Sequence, residues 1–154
     1  MTTTAGYSGT PLGRKLGIKA GSSTVLVGAP KQLSLGALEP GAVVARAADA
    51  SRAGRFDVAL LFCADVATLT GGFEPLRDLM EPTSALWVCW PKKASRVVTD
   101  LDENVVRDHG LWCGLVDVKV AAVDQTWSGL KFVYRLADRP AAPSSTPRAS
   151  RIQA

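Results

Sequence analysis

Three short runs constrain the fold more than anything else in the chain: Thr24 to Val27, Phe56 to Phe62 and Ala85 to Trp90. A strand with one wet face alternates apolar and polar residues. These runs are apolar on nearly every position, the pattern of central parallel strands covered on both faces. Parallel strands need crossovers, so helical periodicity should lie between them. After Phe62, Asp65 can cap a helix in which Val66, Leu69, Phe73, Leu76 and Leu79 recur at three- and four-residue spacing. Gly71-Gly72 weakens that helix without shifting its register, and Glu81-Pro82 ends it.

The rest of the chain fits around these strands. Tyr7 to Gly17 predicts a short helix, with Thr10 as its cap and Pro11 at its first position. Leu33 to Leu38 predicts another, Ala42 to Ala47 a weaker alanine-rich strand, and Asp49 to Arg55 a polar loop. Pro91 stops the Ala85 to Trp90 strand, and a basic loop with Lys92, Lys93, Ser95 and Arg96 follows. Asp100 and Glu103 then read as a capping box, with Gly110 as the C-terminal stop. Val116 to Val123 and Leu130 to Leu136 alternate and are joined by a turn at Asp124, which predicts a hairpin. Asp117 and Lys119 suit a sheet edge. The expected fold class is α/β: a single Rossmann-like, mainly parallel sheet with a C-terminal antiparallel β-hairpin, over residues 6–136. Residues 137–154 are rich in Pro, Ser and Ala and predict a disordered basic tail.

A chain of 154 residues is long enough for one full core. The formal charge is +4, and about half of it comes from Arg139, Arg148 and Arg151 set against Asp138 in the tail. That argues against a nucleic-acid partner. No apolar run is long enough to cross a bilayer, and the N-terminus lacks a signal-peptide pattern, so the expected location is the cytoplasm. Cys63, Cys89 and Cys113 are odd in number and lack ligand spacing. They read as buried reduced thiols, not as a metal site. No feature bears on oligomeric state.

Several stretches resemble landmarks of the methyltransferase superfamily. KLGIKAGSSTVLVG resembles the approach to its first strand and cofactor loop. GRFDVALLF resembles its fourth strand, and LMEPTSALWV the entry to its fifth. The hairpin resembles its sixth and seventh strands, and the third strand with its helix is missing. GYSGTPLGRKLGIKAG, LWVCWPKK and VDVKVAAVDQTWSGLKFV together resemble a family of short uncharacterised bacterial proteins, a domain of unknown function, over roughly Gly6 to Leu136. The superfamily resemblance implies S-adenosylmethionine as cofactor. The loop Gly28-Ala29-Pro30-Lys31 disfavours it, with one glycine and with Pro30 in place of an N–H donor. The acid expected at the end of the second strand has only Asp49 as a candidate, a few residues late.

The C-terminal ends of parallel strands share one edge, where open α/β sheets bind ligands. That edge should gather Gly28, Ala29, Pro30, Lys31, Asp65, Trp90, Lys92, Lys93 and Ser95. Lys31 and the lysine pair are expected to converge on one small anion; the alternative is solvated loop lysines. His109 reads either as a general base or as a cation at a helix C-terminus. Trp87 and Trp112 are expected in the core, and Trp90 and Trp127 beside loops. No catalytic residue is assigned. Three functions stay open: a module that binds an anionic, nucleotide-like ligand, an S-adenosylmethionine-dependent methyltransferase with a degenerate loop, and a structural or partner-binding protein.

Overall fold

In the computed structural model, which describes residues 10–138, six strands form one sheet in the order β2-β1-β3-β4-β6-β5. The strands are β1 (Ser23–Val27), β2 (Val43–Ala47), β3 (Val58–Phe62), β4 (Ala85–Pro91), β5 (Leu115–Ala122) and β6 (Trp127–Tyr134). The first four are parallel, with β6 antiparallel to β4 and β5 antiparallel to β6. The helices are α1 (Leu12–Lys15), α2 (Val66–Leu79) and α3 (Glu103–Trp112). This is the mixed α/β, mainly parallel sheet with an antiparallel C-terminal pair that the apolar runs predict.

The sheet has two cores because β3 and β4 are buried at every position. On one face, Ala59, Leu61, Leu86 and Val88 meet Phe73 and Leu76 of α2 and Val106 of α3. On the other, Leu60, Phe62, Trp87 and Cys89 meet Leu16, Ile18, Leu33 and Leu35. Trp87 is fully buried there, and its indole N–H donates to the Leu16 carbonyl at 3.0 Å, so its polar edge is satisfied.

Several local expectations are corrected. Pro11, not Thr10, occupies the cap position of α1. Leu33 to Leu38 is not helical. The Arg46 guanidinium takes the carbonyls of Pro30 and Leu33 at 2.9 and 3.0 Å, so these groups find partners without a helix. Asp49 to Arg55 contains a short 3-10 turn, Ala50–Arg52, capped by Asp49. The cap of α3 is Asp102, whose carboxylate accepts the Val105 N–H at 2.9 Å; Asp100 instead accepts the Val66 N–H at the start of α2, at 2.8 Å. Gly110 lies inside α3 against Phe132, and the chain turns at Gly114, with φ +93°. The alternation over Val116 to Ala122 is broken by a bulge between Asp117 and Lys119, which leaves Val118 exposed. Leu136 falls beyond β6, in the 3-10 turn Leu136–Asp138, and is exposed. Trp112, expected in the core, is 83% exposed. The tail from 139 onward lies outside the described residues.

Candidate functional site

At the C-terminal end of β4 the chain opens a cleft of about 640 Å³. Its floor is Trp90 and Pro91, with Ser128, the register partner of Trp90, from β6. Lys92, Lys93 and Arg96 form one wall, and Asp100, Asp102 and Glu103 the other. Val97 and Val98 line it between these groups, and Val98 is 95% exposed.

The loop that builds the cleft is held at both ends. The Lys92 N–H donates to the Thr126 carbonyl at 2.8 Å, and a 3-10 turn over Lys93–Ser95 follows. The Ser95 hydroxyl donates to the Lys92 carbonyl at 2.6 Å and accepts the Val97 N–H. At the far end, the Thr99 hydroxyl donates to Ala64, just after β3, and Asp100 caps α2. Between these anchors Arg96 adopts a left-handed conformation, with φ 63°. It is the single non-glycine residue with positive φ among the described residues. Such a conformation costs on the order of 1 kcal/mol and persists only where the surroundings fix it.

The two walls differ in what their charges do. Asp100 and Asp102 are bound to helix N–H groups, and Glu103 pairs with Arg107. Lys92, Lys93 and Arg96 make no ion pair with any described residue. The start of α3, capped by Asp102, brings the positive end of a helix dipole to the acidic side. The acids keep their negative charge in these bonds, so the cleft is lined by three cations and three carboxylates, of which the cations are the groups without a bonded partner among the described residues.

The other candidates fall elsewhere. Asp65 caps α2: its carboxylate accepts the Thr68 hydroxyl and N–H, bonds that hold it below the usual range. Gly28, Ala29, Pro30 and Lys31 do not line the cleft. β3 lies between β1 and β4, and two strand spacings are about 10 Å. The Gly28 N–H donates to Ala47 at 3.0 Å, and Arg46 draws the loop further toward β2. A Cβ on Gly28 would sit 3.5 Å from the Phe62 carbonyl, in a left-handed backbone with φ +69°. Lys31 does not line the cleft with Lys92 and Lys93. Asp49 is committed to its own turn, where the Ser51 hydroxyl and N–H hold its carboxyl low. Trp127 packs edge-on against Phe62, with ring centroids 5.2 Å apart.

His109 has a neighbour the sequence did not suggest. The Cys113 sulfur lies 3.5 Å from its Nε2 and 3.7 Å from a Glu74 carboxylate oxygen. Burial first, and then Glu74, push the Cys113 thiol up to about 11, so it is protonated at neutral pH and is not a thiolate nucleophile. Burial also pushes Cys63 up to about 12 and Cys89 well above its ordinary value. Among the described residues no cluster of His, Cys, Asp and Glu could hold a metal ion. No helix among them is long and apolar enough to cross a membrane. Val98, Asp102 and Ser128 are among the cleft residues that sequence reasoning missed as site residues, and the left-handed backbone of Arg96 was not anticipated. A left-handed arginine and a strand-register partner leave no local signature.

The fold is the Rossmann-like α/β class in its methyltransferase-type form, with four parallel strands closed by an antiparallel pair. No protein-family model and no curated protein matches the chain. Among solved structures, the pyocyanin biosynthetic protein PhzM superposes with TM-score 0.59 at 11% identity, over 80% of this chain and 53% of that one. This chain thus spans about half the length of PhzM. Magnesium protoporphyrin IX methyltransferase (ChlM) from Synechocystis PCC 6803 superposes with TM-score 0.52 at 13% identity with bound SAM, over 80% and 74% of the chains. Its SAH-bound structure gives 0.51 at 10%, over 80% and 78%. At these identities the likeness speaks to the fold.

Proposed function

We propose that the chain binds a small anionic, nucleotide-like ligand in the cleft between the end of β4 and the start of α3. The observation that carries this reading is the asymmetry of the walls. The acids are bonded to helix N–H groups or paired with Arg107, though still charged, while Lys92, Lys93 and Arg96 have no ion-pair partner among the described residues. The volume suits a nucleotide-sized ligand. Val97 and Val98 offer apolar contact, and the basic wall with the α3 start offers a place for phosphate. A ligand that binds the native state raises its melting temperature. AMP or ATP should therefore stabilise the protein, less so as salt rises. Lys92→Ala with Lys93→Ala should abolish the effect without unfolding the core, since neither side chain belongs to it. A double variant that keeps the full response would sink the reading.

The second reading is an S-adenosylmethionine-dependent methyltransferase. The fold likeness to ChlM, whose structures hold SAM and SAH, favours it. The end of β1 does not fit that cofactor: Gly28 has committed its N–H to Ala47, Pro30 has none, and Asp49 is held in its own turn. We therefore place it second and derive no reaction from it.

A further inference from the structure

A second pocket, of about 390 Å³, opens at the opposite end of the sheet, where β1, β3 and β4 begin. Gly17, Lys19, Ser22, Asp57, Thr83 and Lys131 line it. Lys131 stands on β6, directly across from Lys119 on β5. Like charges in opposite positions on paired strands are destabilising. Neither amine is neutralised. The Lys119 amine donates to the Lys15 carbonyl at 3.0 Å, and Lys19, Lys119 and Lys131 make no ion pair with a described residue. The Lys131 amine reaches the backbone at Gly17, where a Cβ would lie 3.6 Å from it. Asp57, the acid on this wall, has a carboxylate oxygen committed to the Ser23 N–H at 2.8 Å.

We propose that this pocket is a separate binding site for a small tetrahedral oxyanion, a phosphate or pyrophosphate group held between Lys19 and Lys131 with Lys119 behind them. Lys19, from the segment after α1, and Lys131, from β6, both line this concave pocket, while Lys119 stands outside its lining, opposite Lys131 on β5. That geometry fits a compact anion and not an extended polymer. Lysine suits it as a point charge with three rotatable donors. Burial, then Lys119 and Lys19, hold the Lys131 amine below the ordinary lysine value, as expected for a charge cluster built to be neutralised by a ligand. The site does not depend on the β4 cleft, which lies at the other end of the strands.

The test is competitive acetylation of the full chain carrying Lys92→Ala and Lys93→Ala, read lysine by lysine by mass spectrometry. Pyrophosphate at ten times its dissociation constant should slow acetylation of Lys131 by about tenfold. Lys19→Ala, a change at an exposed side chain, should weaken that protection several-fold without altering the fold. Lys131→Met should remove pyrophosphate-induced NMR shifts at Gly17 and Ser22. The proposal is overturned if Lys131 acetylates equally fast with and without pyrophosphate, or if Lys19→Ala leaves protection unchanged. It is also overturned if an oligonucleotide protects the three lysines and pyrophosphate does not.

Discussion

Asp100 and Asp102 lie two residues apart and cap different helices. The D-x-x-E pattern announces a helix start near Asp100, and a helix does start there. Which acid serves it was not legible, because the acceptor for Val66 comes from a segment far along the chain and only tertiary contact decides it. Loss of a cap costs about 1 kcal/mol. Asp100→Ala should therefore destabilise the protein by about that amount in urea unfolding, close to the cost of Asp102→Ala. A neutral Asp100→Ala would show that Val66 finds another acceptor. His109 reads from the sequence as a general base or as a cation at a helix end, and its ring packs against Phe73 at 5.2 Å and beside Cys113. Burial lowers its pKa from 6.5, and Glu74 only partly opposes this. The unfolded chain therefore takes up the proton first as pH falls below 6.5, so acidification through this window removes stability. As the one histidine in the chain, it gives an unambiguous NMR titration. The native midpoint should lie below 6.5, and a midpoint at or above it would contradict the burial argument.

At the scale of elements, legibility followed how local the cause was. β3 and β4 were readable because burial on both faces is written in every residue. The β5–β6 hairpin was readable from its alternation and from Asp124, which accepts the N–H groups of Thr126 and Trp127 at 2.8 Å. The bulge in β5 was not, since nothing in VDVKVAA marks the shifted residue. Gly110 shows the same limit. Sequence rules read a glycine near a helix end as a stop, but this one is internal because Phe132 fills the space its side chain would need. A Cβ at Gly110 would approach Phe132 Cδ1 and Cζ to 2.5 Å, and Cε1 closer still. Gly71 in α2 has nothing within 4 Å of its Cβ position. Each change to alanine gains about 1 kcal/mol of helix propensity. At Gly71 that gain should stand as a higher unfolding midpoint. At Gly110, overpacking of about 1–3 kcal/mol or more should exceed it and lower the midpoint. Equal shifts in the two variants would mean that Phe132 can move aside.

On the scale of the molecule, the two crossovers without long helices act on the same region. The connection from β1 to β2 packs as an irregular segment through Leu33 and Leu35, and Arg46 ties its carbonyls down. The connection from β2 to β3 is a 3-10 turn. The intact crossovers, α2 and α3, flank β4 instead, and the open cleft lies there. The edge expected from the sequence spans two strand ends that β3 keeps apart, and the cleft lies at one of them. Thermal shift separates the resulting functions. A ligand at 100 times its dissociation constant adds about 2.7 kcal/mol. At roughly 2–4 °C per kcal/mol for a chain of this size, that is a rise of about 5–10 °C. S-adenosylmethionine or its homocysteine product at about 1 mM should shift the midpoint by no more than about 1 °C, the response to a dissociation constant near or above that concentration. A shift of several degrees, retained when Lys92 and Lys93 are replaced and lost with Gly28→Val, would place the cofactor over β1 and make the methyltransferase reading the better one.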